Sequence, residues 1–174
     1  MRRAVSFVLA AASAFGMAAF GMTGCGGSPA RPNGPVEASY ATMLDRAFRA
    51  DWQQLSARKT FPFPTFDVTA PDPRLLPKVG AFLAANAPVR TDIETRLRGL
   101  RPPVHGRATW TQLKVYAIEA NTLALRQIHT AEAGDTRGFS ATVQLLGNLH
   151  DTLAAQLAAA GLPASNALSE ILLA

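Results

Sequence analysis

The chain has one cysteine, Cys25, among its 174 residues. A single cysteine cannot close an internal disulfide, so the fold has to be held by an apolar core. Histidine is nearly as scarce, with only His105, His129 and His150. No Cys-x-x-Cys-His, His-Glu-x-x-His or Glu-x-x-His spacing occurs, which removes the usual haem, zinc and di-iron signatures. There is no Gly-x-Ser-x-Gly and no Gly-rich phosphate loop, so activated-nucleophile and nucleotide chemistry find no support. Carboxylates are scattered, and none lies between Glu94 and Glu119. No segment alternates with the period of a strand, and no repeat stands out. These absences point away from an enzyme, and no cofactor or metal is expected.

What the chain does have begins at its N-terminus. Met1-Arg2-Arg3 is a short basic start, residues 4–20 are uncharged and apolar in bulk, and small residues lead into Cys25. That is the layout of a secretory signal, which is removed before fold reasoning. A permanent membrane span would need a longer apolar run with polar flanks on both sides. Met22-Thr23-Gly24-Cys25 resembles the lipobox of bacterial lipoproteins, with Met22 standing where the family prefers Leu. The resemblance covers the first 25 residues. It implies cleavage after Gly24, a thioether-linked diacylglycerol on Cys25, and a further acyl chain of the palmitate kind on the new amino group. Each buried methylene contributes about 0.8 kcal/mol, so two or three chains hold a protein at a bilayer almost permanently. Gly26 rather than Asp follows the cysteine, which by the sorting rules of such lipoproteins permits an outer membrane where the host has one. The expected address is the cell envelope, with the domain outside the cytoplasm.

The expected organisation is a signal peptide over residues 1–24, a lipidated cysteine and flexible tether over 25–35, and a helical domain over 36–174. Removing Arg2 and Arg3 from the 17 basic residues leaves 15 against 12 acidic, a formal +3. This mild balance, like the address, argues against a nucleic-acid partner. Gly, Ser and Pro dominate the tether and leave it little to bury.

Within the domain, Tyr40, Met43, Leu44, Ala47, Phe48, Asp51 and Leu55 follow helical spacing and predict a first helix over residues 36–59. Phe61-Pro62-Phe63-Pro64-Thr65-Phe66 forbids helix and predicts an extended strap laid across the helices, an exposed Pro-aromatic recognition peptide being the alternative. A second helix starts at Asp72-Pro73 or at Pro77 and ends with Asn86 in a left-handed cap before Pro88. Thr91-x-x-Glu94 and Thr109-x-x-Gln112 read as capping boxes opening the third and fourth helices. The third stops at Arg101-Pro102-Pro103. Trp110, Leu113, Ala117, Ala120, Ala124, Ile128 and Ala131 form one seam. Phe139, Val143, Leu146, His150, Leu153, Leu157 and Ala160 form another. Gly134-Asp135 supplies a stop and an N-cap between them, and Gly161-Leu162-Pro163 a second stop. A short apolar helix over 165–173 should cover one end. The fold class is all-α, an up-and-down helical bundle with a long C-terminal antiparallel hairpin and one Pro/Phe strap.

Residues 117–163, with Glu119-Ala120-Asn121, the Ala133-Gly134-Asp135 turn and terminal Ala160-Gly161-Leu162-Pro163, resemble small helical lipoproteins of uncharacterised function from GC-rich bacteria. This resemblance implies the fold and carries no activity. Folding the hairpin about its turn leaves His129 and His150 some ten residues out of register, about 15 Å, too far to share an ion. His150, on the apolar seam, is expected to be buried or half-buried and hydrogen-bonded to Glu119, Tyr116 or Asn121 across the hairpin. Arg96, Arg98, Arg101 and Arg107 are the most one-sided charge feature and a candidate contact with anionic lipid head groups. The favoured function is a non-enzymatic accessory module that docks onto an envelope protein. The alternative is a binding module holding a small apolar ligand, lipid or haem between helices, with Met43 and His129 or His150 the available haem pair.

Overall fold

The computed structural model describes residues 33–57, 61–63 and 65–173; Met22 to Cys25, with the rest of the expected signal segment and most of the tether, lie outside it. Six helices account for the described fold: α1 (Ala38–Ser56), α2 (Leu76–Ala84), α3 (Ala87–Gly99), α4 (Arg107–Glu132), α5 (Thr136–Ala159) and α6 (Ala167–Leu173). No strand occurs among the described residues, and the all-helical bundle is as expected. No described helix is long and apolar enough to cross a membrane.

The centre of the bundle is α4, which lies against α5, α2, α3 and α6, while α1 rests on α6 and α3. All seven seam positions expected on α4 are buried. Gly134 and Gly161 adopt the positive φ that ends a helix, at 68° and 69°. After each, the following N–H reaches back to close the terminal turn, Asp135 to Thr130 O and Leu162 to Leu157 O. Asp135 also caps α5 by accepting from Gly138 N–H at 2.9 Å. The hairpin therefore forms where the sequence places it.

Its second arm is rotated from the expected phase. Phe139, Thr142, Leu149, Leu153 and Leu157 are buried in α5, whereas Val143 and Leu146 are half-buried and His150 is exposed. Spacings of four-three and three-four are both available from Phe139, and the second brings Leu149 inward. Thr142 is buried at little cost because its hydroxyl donates to Gly138 O at 2.8 Å.

Two helix starts also differ. Asn86 is right-handed (φ −92°) and precedes α3 directly, so Pro88 opens that helix rather than terminating its neighbour. Proline in a first turn loses no intrahelical bond. Thr91 lies inside α3 and bonds back to Ala87 O. Thr109 lies inside α4, whose N-cap is the left-handed Gly106. The last helix, α6, buries Ala167, Leu168, Ser169 and Ile171 and lies alongside α1 and α5.

A main core runs through Leu44, Phe48, Ile93, Leu97, Trp110, Leu113 and Leu153. A smaller one, Leu76, Ala131 and Phe139 with Phe66, Val68 and Val143 against it, closes the end formed by the α4–α5 turn. The strap supplies Phe66, whose ring meets Phe139 edge-on at 5.8 Å. Phe61 meets Phe82 of α2 in the same way at 5.7 Å. The strap is not extended throughout, because Phe66 N–H bonds Phe63 O and turns the chain so that the rings lie on one another.

Candidate functional site

The end of the bundle opposite the strap is where the tether enters. Gly34 N–H donates to Thr109 Oγ1 at 3.2 Å, and Val36 N–H donates to Ala160 O at 3.0 Å. Pro35 fills the space left by two glycines: a Cβ on Gly106 would stand 2.7 Å from Pro35 O, and one on Gly161 would stand 2.8 Å from Pro35 Cβ. The first described residues are thus clasped between the N-terminus of α4 and the C-terminus of α5.

The loop 100–106 is built into the same clasp. Glu37 accepts from Val104 N–H at 3.1 Å and from His105 N–H at 2.9 Å. Burial raises the pKa of this carboxyl, but those backbone hydrogen bonds outweigh it and hold the group below the usual carboxylate range. Tyr40 donates its hydroxyl to Arg101 O at 2.7 Å, and its ring stands edge-on to Trp110 at 5.2 Å. Burial pushes the Tyr40 phenol well above its ordinary value. Lys114 donates to Arg98 O and Leu100 O, satisfying carbonyls that the end of α3 leaves open. Glu37 and Tyr40 at the start of α1 and Lys114 of α4 therefore fix a loop whose own outer face is bare. Val104 is 63% exposed there, and Arg101 and Arg107 are exposed.

This geometry divides the arginine cluster. Arg96 pairs with Asp51 at 3.0 Å and donates to Ala47 O at 2.6 Å. Arg98 pairs with Glu94 at 2.7 Å. Arg96 is thereby occupied in tying α3 to α1, and Arg98 in an ion pair within α3. Arg101 and Arg107 make no ion pair or side-chain hydrogen bond among the described residues, and they flank the bare loop. Glu94 and Arg98 stand four apart on one helix, a spacing that signals their pairing. Asp51 is 45 residues from Arg96, and no local pattern announces that contact. Glu37 is likewise 67 and 68 residues from its partners.

The histidines do not assemble a site. His150 is exposed, so the expected buried partner across the hairpin is not formed. Asn121 instead donates Nδ2 to Arg90 O of α3 at 2.8 Å. His129 is exposed and lies 3.7 Å from Glu132. Among the described residues no group of three or more His, Cys, Asp and Glu could hold a metal ion.

Two surface concavities flank α6. One, of about 590 Å³, is lined by Asp45, Arg49 and Glu170, which form an ion-paired chain joining α1 to α6. The other, of about 160 Å³, is apolar and lies between α5 and α6 around Leu157, Leu162 and Ser169. The Ser169 hydroxyl is buried there without a hydrogen-bond partner.

No protein-family model matches the chain, and neither a curated protein nor a solved structure is significantly similar to it.

Proposed function

We propose that this protein is a cell-envelope lipoprotein, held on a membrane by acyl chains on Cys25, whose helical domain is a non-enzymatic module for docking an envelope partner. The observation that carries the anchor is the sequence itself: a basic start, an apolar run and Met22-Thr23-Gly24 leading to the only cysteine. The clasp supports it physically. A domain pulled by its N-terminus needs the start of its fold tied down, and residues 34–37 are tied to α4, α5 and loop 100–106. The opposite end carries the Phe61–Phe63–Phe66–Phe82 cluster, with Phe61 38% exposed; this is the surface offered to a partner. Crosslinking in cells from a photoreactive residue at position 61, with one at position 144 on the flank of α5 as control, tests the docking half. A discrete adduct from 61 alone is expected, and equal, diffuse labelling from both would sink it.

A second reading is favoured by one observation, the buried Ser169 hydroxyl facing an apolar groove. At about 160 Å³ the groove is below the roughly 300–1,000 Å³ of ordinary small-molecule sites. It fits a short stretch of acyl chain and not a haem. Native mass spectrometry of protein purified from the envelope separates the readings, since a retained lipid on Cys25→Ala protein supports the groove and none removes it.

A further inference from the structure

We infer that loop 100–106, with Arg101 and Arg107, is a second contact with the bilayer surface, one that takes anionic lipid head groups and stands the bundle end-on with its aromatic strap outward. The inference rests on the proposed anchor at Cys25. Eight steps of chain separate Cys25 from Asn33, a reach of at most roughly 28 Å. The clasp fixes Gly34 and Pro35 against Thr109 and Gly106, so this reach is measured from the end that bears the loop. The far end of α4 lies 26 residues away, about 39 Å further along the helix. A short tether leaving from one end of a long bundle keeps that end near the lipid.

The chemistry of this end fits an anionic surface. Arg101 and Arg107 are exposed and without ion pairs among the described residues, while Arg96 and Arg98 are neutralised by Asp51 and Glu94. The chain has no acid from residue 95 to 118, and the half-buried Glu37 has its carboxylate oxygens taken up by the backbone N–H groups of Val104 and His105. Between the two arginines stands Val104, 63% exposed, an apolar tip able to enter the head-group layer while guanidinium groups bind phosphate. The loop is held by Glu37, Tyr40 and Lys114 before any contact, so little ordering remains to be done on docking.

Each basic residue near an anionic surface favours contact about fivefold, so Arg101 and Arg107 together bias the docked state roughly 30-fold. The test uses the full lipidated protein, in which Cys25 is occupied, with Val104→Cys labelled by an environment-sensitive fluorophore and Ala133→Cys as the far-end control. Vesicles are phosphatidylcholine alone, or phosphatidylcholine with about 30% phosphatidylglycerol, each carrying a head-group quencher. Quenching at 104 and not at 133, on anionic vesicles only, is expected. It should be lost on Arg101→Gln with Arg107→Gln, or in about 1 M salt. Protein that floats with both vesicle types but is quenched equally at 104 and 133 overturns the inference and leaves the anchor standing. Protein that floats only with anionic vesicles, and only with both arginines present, refutes the anchor and upholds the contact. Flotation with neither refutes both.

Discussion

Replacing Gly80 by alanine should destabilise the domain even though alanine is the better helix former. Gly80 is buried in α2, and a Cβ built on it would stand 2.6 Å from the carbonyl carbon of Ala131 and 2.7 Å from Cα of Glu132. Both neighbours are backbone of α4, held in its terminal turn, so neither can yield as a side chain would. The helix α2 must recede by about 1 Å, and overpacking of this kind costs about 1–3 kcal/mol. Helix propensity returns about 1 kcal/mol, leaving a net loss of up to about 2 kcal/mol. For a domain of this size that is a fall of up to roughly 8 °C in Tm. Gly147 is the internal control, because it lies mid-way along α5 with nothing within 4 Å of the same built atom. Gly147→Ala should therefore raise Tm by roughly 2–4 °C. Thermal melts followed by far-UV circular dichroism measure both. A Gly80→Ala protein that melts at or above the parent temperature would refute the seating of α2 on α4.

Phe66→Ala removes edge-on contacts with Phe139 and Phe61 from a half-buried position. It should cost about 2 kcal/mol, less than a fully buried phenylalanine, in a urea titration; no change in midpoint would mean the strap is not docked. Glu37 has a lowered pKa in the folded state, so its contribution is present above the unfolded-state pKa and is lost as pH falls through the folded one. Glu37→Gln should accordingly lower Tm at about pH 7, and the gap to the parent should narrow as pH falls below the usual carboxylate range and the parent side chain takes up its proton. A gap that stays constant with pH would show that the carboxylate charge has no part in holding loop 100–106.

The sequence was most readable where turn chemistry and periodicity agreed. Gly134-Asp135 and Gly161 each fix a helix end, and the seam of α4 has only one phase that keeps Trp110, Leu113 and Ile128 together. In α5 the apolar residues are more numerous than one face requires. Val143 and Leu146 made a four-three seam as plausible as the three-four seam that Thr142 and Leu149 occupy, and a one-residue rotation was enough to put His150 outside. The capping-box reading failed at Thr91 and Thr109 because threonine there serves other bonds, one to Ala87 O and one from Gly34 N–H. Prolines 77 and 88 and the left-handed Gly106 mark the starts that form. Of the arginine cluster, one-dimensional reading gave the four members but not the division between them. Arg96 is neutralised by a residue on another helix, and the bareness of Arg101 and Arg107 is a property of the folded end.

The lipid on Cys25 is the claim on which the function rests, and the intact mass of protein extracted from membranes tests it most directly. The account predicts a chain beginning at Cys25 and heavier than its amino acids by a diacylglyceryl group, with or without a further acyl chain, and a Cys25→Ala protein without that added mass. A chain that retains residues 1–24, or one whose Cys25 carries a free thiol, would contradict it.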